Sequence, residues 1–181
     1  KYFFSANLVL GRTFSKVGDY SQAKSIYNQT LKLAEEIDSK IGVADSKIHI
    51  AWLNLNICKN LSQAEEYINT SRKIYKEGND KKGIAICDKA IGYYYWVKGD
   101  IESSLKYEKR AFKFYEEIND YLFMASSVLN YGWQNIELGK YSKAMDYLKD
   151  ALKQYEKLHN ISGIAISYNC IGTIYSLEGN Y

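Results

Sequence analysis

The chain contains no proline anywhere in its 181 residues, and only 12 glycines. Few residues are therefore present that would break a helix by a missing N–H, a ring clash or excess backbone freedom. Arginine is scarce too, standing only at Arg12, Arg72 and Arg110, and 24 basic against 21 acidic residues leave a net charge of +3. A nucleic-acid footprint needs a basic stripe with forked guanidinium donors, so no nucleic-acid contact is expected. Cys58, Cys87 and Cys170 are odd in number and lack C-x-x-C spacing. That argues against a disulfide framework or a zinc site and for a reducing, cytoplasmic compartment. No run of eighteen apolar residues occurs, and the opening KYFFSANLVLGR lacks a signal-peptide layout, so no membrane contact is expected. A phosphate-cradling glycine loop, G-x-S-x-G and H-E-x-x-H are all missing. The reading is accordingly of a non-enzyme, with no catalytic residue, metal or cofactor.

What the chain does have is 46% hydrophobic residues, set largely at three- and four-residue spacing, which predicts an all-α fold. It also has a period. GRTFSKVGDYSQA, WLNLNICKNLSQA, GYYYWVKGDIESS, GWQNIELGKYSKA and GTIYSLEGNY begin at residues 11, 52, 92, 132 and 172, offsets of 41, 40, 40 and 40. A second marker keeps the same beat: IGVA, KGIA, LFMA and SGIA end on alanines at 44, 85, 125 and 165. Each period reads as two antiparallel helices. Gly18, Gly99, Gly139 and Gly179 would end the first helix in the left-handed conformation, and Asp19, Asn60, Asp100 and Asn180 would cap the second. Lys140 stands at a cap position without an acceptor, so Ser142 or a water would serve there. In the fourth period Ala144, Leu148, Ala151, Leu152, Tyr155 and Leu158 form an apolar stripe. Opposite them Lys143, Asp146, Lys149, Asp150, Lys153 and Glu156 form a solvated face.

The pattern of a small residue, an aromatic three positions on, then Gly-Asp/Asn and a later alanine resembles the tetratricopeptide repeat over almost the whole chain. The resemblance implies a right-handed superhelical α-solenoid of antiparallel helix pairs, about four and a half repeats in one array. Boundaries fall near 3–43, 44–83, 84–123, 124–163 and a truncated 164–181. It implies close helix contact at Gly11, Gly92, Gly132 and Gly172 and at Ala23, Ala64 and Ala144, with Ser104 as a substitute. Phe14, Tyr95 and Tyr175 are the aromatics expected between helices. The second repeat departs from the pattern: Trp52 stands at the small position beside Ala51, which predicts an exchange of volumes, and Lys59 replaces glycine. Asn135 stands where the fourth repeat should have its aromatic. The period exceeds the common 34 residues, with the extra residues assigned to the end of the second helix in EEIDSKIG, KEGNDKKG, EEINDYLF and EKLHNISG. This longer variety resembles the arrays of bacterial regulators, including peptide-pheromone receptors of the Rap and PlcR kind and sensor-attached arrays.

By the same resemblance, first helices line a concave groove that binds a protein or peptide segment. The groove positions carried over are His49, Leu53 and Asn56; Lys89, Tyr93 and Trp96; Leu129, Asn130, Trp133 and Ile136; and Asn169 and Thr173. Tyr93, Trp96 and Trp133 admit two readings, as anchors for a partner or as packing between repeats. Tyr95 reads as core, Tyr94 as lying at a seam, and Cys87 and Cys170 as small core residues. His159 reads as an exposed loop residue. The two-lysine, two-asparagine carboxylate clamp of the family is not reproduced. Two functions follow: a protein-interaction scaffold, or a peptide-gated regulatory or sensor module of a larger signalling or transcription-control protein. The chain stops at Gly179-Asn180-Tyr181, where a further second helix should begin. It is therefore expected to be part of a longer protein, or to cover that apolar end by self-association.

Overall fold

The structure is a computed structural model that describes residues 2–58 and 60–179. Among the described residues every regular element is a helix. In chain order these are α1 (Tyr2–Lys16), α2 (Tyr20–Glu36), α3 (Lys40–Leu53), a π-helical turn (Asn54–Cys58), α4 (Leu61–Glu77), α5 (Lys81–Val97), α6 (Ile101–Glu117), α7 (Tyr121–Glu137), α8 (Tyr141–Lys157) and α9 (Ile161–Leu177). Two 17-residue helices and two three-residue turns make each 40-residue repeat from α5 onward. The expected extra residues are thus not all in the second helix. In EKLHNISG, for example, Glu156 and Lys157 end α8, residues 158–160 form the turn, and Ile161 already opens α9. First helices begin at Lys40, Lys81, Tyr121 and Ile161, a few residues ahead of the boundaries drawn from the alanine marker.

Both kinds of turn close in the same way. After a first helix the left-handed residue is a glycine, with φ of 87°, 81°, 67° and 71° at Gly18, Gly99, Gly139 and Gly179. After a second helix it is a polar residue instead: Asp38, Asn79, Asn119 or His159, all with φ between 51° and 54°. The next N–H then reaches back to the last turn of the helix, as Asp100 to Tyr95 O at 2.9 Å and Asp80 to Tyr75 O at 2.8 Å. The following side chain starts the next helix. Asp19, Asn60 and Asp100 accept from the backbone N–H groups of Gln22, Gln63 and Ser103, as their positions predict. Ser39, Asp80, Asp120 and Asn160 do the same for the first helices. Lys140 makes no side-chain cap bond. Asn180 and Lys59 lie outside the described residues.

The chain divides into two compact units, residues 1–107 and 108–181. In the first, each helix from α1 to α5 packs on its neighbours in sequence, and the first helices also touch one another, α1 with α3 and α3 with α5. Its core has two parts, one around Leu8, Tyr27, Leu31, Ile50 and Leu53, the other around Ile48, Leu55, Ile68, Tyr75 and Cys87. In the second unit α8 packs on α7 and α9, which also touch each other, around Leu129, Ile136, Leu148, Tyr155 and Ile174. This is the helical-repeat solenoid pattern, in which each helix pair buries its apolar stripe against the next.

Close approach is achieved by glycine against a ring. A Cβ added at Gly11 would lie 2.3 Å from the Tyr27 ring, and one at Gly132 2.6 Å from Leu148. The first-helix glycines Gly83 and Gly163 meet Tyr75 and Tyr155 at 2.3 Å in the same sense. Where Phe123 replaces that glycine, its ring stacks on Tyr115 with centroids 4.4 Å apart and planes at 8°. Ala144, Leu148, Ala151 and Tyr155 are buried as expected. Leu152 is half-buried, and Leu158, expected in the same stripe, is exposed because it begins the turn after α8. Tyr175, expected between helices, is also exposed.

Candidate functional site

The residues proposed for a groove fall into two groups, and burial sorts each. In the first unit, Leu53 is 5% exposed and belongs to the core with Leu8 and Tyr27 rather than to a binding surface. His49 is half-buried, with its ring 5.2 Å from that of Tyr27. Its Nδ1–H donates to Asp45 O at 2.7 Å. Burial holds its pKa below the usual histidine value. Asn56 is exposed, and its Nδ2 donates to Trp52 O at 2.8 Å. Lys89 is half-buried on α5. In the second unit, Leu129 and Ile136 are buried in that unit's core. Asn130 donates from Nδ2 to Glu108 Oε1 at 3.1 Å. Trp133 is half-buried and packs against that unit's core. Asn169 is exposed, and Thr173 Oγ1 donates to its carbonyl at 2.9 Å.

The residues left partly open in the first unit are aromatic. The Tyr93 and Trp96 rings are 5.1 Å apart at 34° on α5, one helical turn from each other. Trp52 joins them from α3, its ring 5.5 Å from that of Tyr93 at 43°. All three are half-buried, forming a continuous shelf across two successive first helices.

The structure corrects the expectation that Trp52 occupies the small-residue position of the second repeat. Ala51, fully buried, holds that place. The reason is the π-helical turn at Asn54–Cys58, which takes up one residue more than an α-helical turn. From Ala51 to the cap Asn60 is nine residues, whereas Gly11 to Asp19, Gly92 to Asp100 and Gly132 to Lys140 are each eight. Counted from the true small residue, Trp52, Tyr93, Trp133 and Thr173 all stand one position after it.

The aromatic run on α5 separates as the helical turn of 100° per residue requires. Tyr93 and Trp96 face one way, and Tyr94 and Tyr95 the other. Tyr94 is the buried member, its hydroxyl donating to Glu65 Oε2 at 2.7 Å across the seam with α4. Tyr95 is half-buried and stacks on Tyr107, centroids 5.6 Å apart at 12°. Cys87 and Cys170 are buried free thiols, Cys87 pushed up to about 12 by burial and neighbouring Asp88. No group of three metal-ligating side chains occurs among the described residues, and no helix among them is long and apolar enough to cross a membrane.

Residues 4–37 match the tetratricopeptide repeat family. That match spans α1 and α2, one helix pair, and the same helix–turn–helix unit recurs along the chain. Among solved structures, the chain is similar to the crystal structure of BtubC (BKLC) from P. vanneervenii. The two are 19% identical with a TM-score of 0.73, over 95% of this chain and 71% of that one. At that identity the likeness is one of fold. No curated protein matches the chain. Repeats of this kind are in general protein-interaction scaffolds rather than catalysts.

Proposed function

We propose that the chain is a protein-interaction module, without catalytic activity, that takes up an extended segment of a partner protein along the faces of its first helices. The observation that carries this reading is the shelf of Trp52, Tyr93 and Trp96, with rings 5.1 to 5.5 Å apart and each side chain only half-buried. Large rings held in place by their neighbours lose little freedom on binding. Each is worth about 2 kcal/mol when it fills a partner's pocket. Asn56 on the adjoining turn is exposed and brings an amide suited to a partner's backbone, with donor and acceptor on one group. In the second unit Trp133 and Thr173 hold the matching register position, and Asn169 supplies an exposed amide.

The test is selection of a random peptide display library on the 181-residue chain, followed by affinity measurement on the selected peptides. Binding that weakens at least about tenfold in Tyr93→Ala and Trp96→Ala proteins of unchanged helicity supports the proposal. Peptides bound equally well by both variants, or a library yielding no binder, would overturn it.

A further inference from the structure

The other side of α5 presents a second site of different chemistry. Between α4, α5 and the first turns of α6 lies a small open cleft. It is lined by Tyr94, Tyr95 and Tyr107, by Ile68 and Ile91, and by the exposed Glu65 and Asn69. The aromatic walls are fixed relative to one another: Tyr94 meets Tyr95 edge to face at 5.4 Å, and Tyr95 stacks on Tyr107. Glu65 accepts from the Tyr94 hydroxyl, and among the described residues no cation lies within 4.0 Å of its carboxylate, although Lys98 is close enough to feel its charge. Ring faces and a carboxylate both favour positive charge, and among the described residues the one cation near them, Lys98, stands at the edge and not in the lining. The chain itself shows that the edge accepts a cation. Lys98 Nζ lies 5.1 Å from the Tyr94 ring centroid and 3.4 Å from its hydroxyl.

We infer that this cleft binds an arginine side chain of a partner polypeptide. A guanidinium is planar, weakly hydrated and rich in donors, so it can lie on a tyrosine face while hydrogen-bonding to the Glu65 carboxylate and the Asn69 amide oxygen. An ammonium is more strongly hydrated and makes no such planar contact. The site shares no side chain with the Trp52–Tyr93–Trp96 shelf and stands or falls separately from it.

The experiment is an NMR titration of the 181-residue chain, with its tyrosine rings labelled, against N-acetyl-Gly-Arg-Gly-amide. The comparison peptides replace Arg with citrulline, the neutral isostere, or with lysine. The arginine peptide should shift the Tyr94, Tyr95 and Tyr107 ring signals saturably, with citrulline about tenfold weaker and lysine intermediate. Glu65→Gln keeps an acceptor for the Tyr94 hydroxyl while removing the charge, and should weaken arginine about fivefold at unchanged helicity. Lys98→Ala should tighten it, because the competing ammonium is gone. Equal binding of arginine and citrulline, or of arginine and lysine, would overturn the assignment. So would ring shifts unchanged by Glu65→Gln, or weaker binding in Lys98→Ala. Trp96→Ala serves as the control that should leave this titration unaltered.

Discussion

The Tyr75 ring lies against the backbone of Gly83 so closely that a Cβ there would sit 2.3 Å from two of its ring carbons. The ring has nowhere to go. Tyr75 is 2% exposed, and its hydroxyl donates to the Asp45 carboxylate on α3. One tyrosine thus ties α4 to both flanking first helices, and Tyr155 repeats the contact with Gly163. Where Ala34 stands in the tyrosine's place, the Cβ position at Gly42 is 3.0 Å from the alanine methyl.

Gly83→Ala should therefore destabilise the protein, although alanine is the better helix former by about 1 kcal/mol. Overpacking of a filled core costs about 1–3 kcal/mol, and the fixed ring puts this site at the upper end, for a net loss of about 1–2 kcal/mol. Tyr75→Ala alone leaves a cavity. In the double variant the new methyl enters the vacated space, so the two changes should couple favourably by more than about 0.5 kcal/mol in a urea-unfolding cycle. Strict additivity would show that the ring yields instead.

The ion pair between Arg72 on α4 and Asp88 on α5 supports the same seam. Nε lies 3.0 Å from Oδ1, with the side chains 18% and 5% exposed. Removing one partner strands the other charge out of water. Arg72→Met should cost about 3 kcal/mol, and Arg72→Met with Asp88→Leu much less, because an apolar pair needs no compensation for lost hydration. Denaturant midpoints of the three variants decide it. A double variant as unstable as the single one would show that the charge was not the determinant.

Much of this architecture is legible in the sequence because glycine and aspartate leave conformational signatures. Gly18, Gly99 and Gly139 mark left-handed turns that other residues enter at a cost, and Asp19 and Asp100 follow as caps. The turns after second helices are harder to see, since Asp38, Asn79, Asn119 and His159 adopt the same conformation without sharing one residue type. Fixed offsets do not hold across the π-helical turn, where an extra residue puts Ala51 in the small position and Trp52 on the shelf. The ninth residue between Ala51 and Asn60 was the available signal. Leu53 follows from the same slip, standing one position after Trp52, whereas Leu129 and Ile136, buried in the core, are a separate case. A position that faces a neighbouring first helix is apolar whether it contacts the next repeat or a ligand, and only packing separates the two.

The thiols give a direct probe of that packing. Cys87 lies fully buried with its pKa pushed up to about 12, and Cys170 is raised by burial as well. Since the thiolate is the reactive form, neither should react with an aromatic disulfide reagent in the native protein. Both should react once urea unfolds the chain, with peptide mass spectrometry assigning each site. Rapid native labelling of Cys87 would contradict the α4–α5 seam.

His49 should make the protein sensitive to mild acid. Burial lowers its pKa below the unfolded value of 6.5, with Arg12 adding to the effect, and outweighs the Nδ1–H bond to Asp45 O, which favours the charged ring. A base with a depressed folded pKa binds fewer protons when native. Its stabilisation is thus present above 6.5 and lost as pH falls through the lower folded value. Asp45 runs the other way: burial raises its pKa above 3.8, so its contribution is full below 3.8 and fades as pH rises through the raised value. The wild-type protein measured against His49→Gln isolates the histidine, because the glutamine amide can still donate to Asp45 O but does not titrate. Urea midpoints from pH 7.5 to 5 should fall more steeply in the wild type than in the variant. Parallel curves would mean that the imidazole is not held neutral against Tyr27.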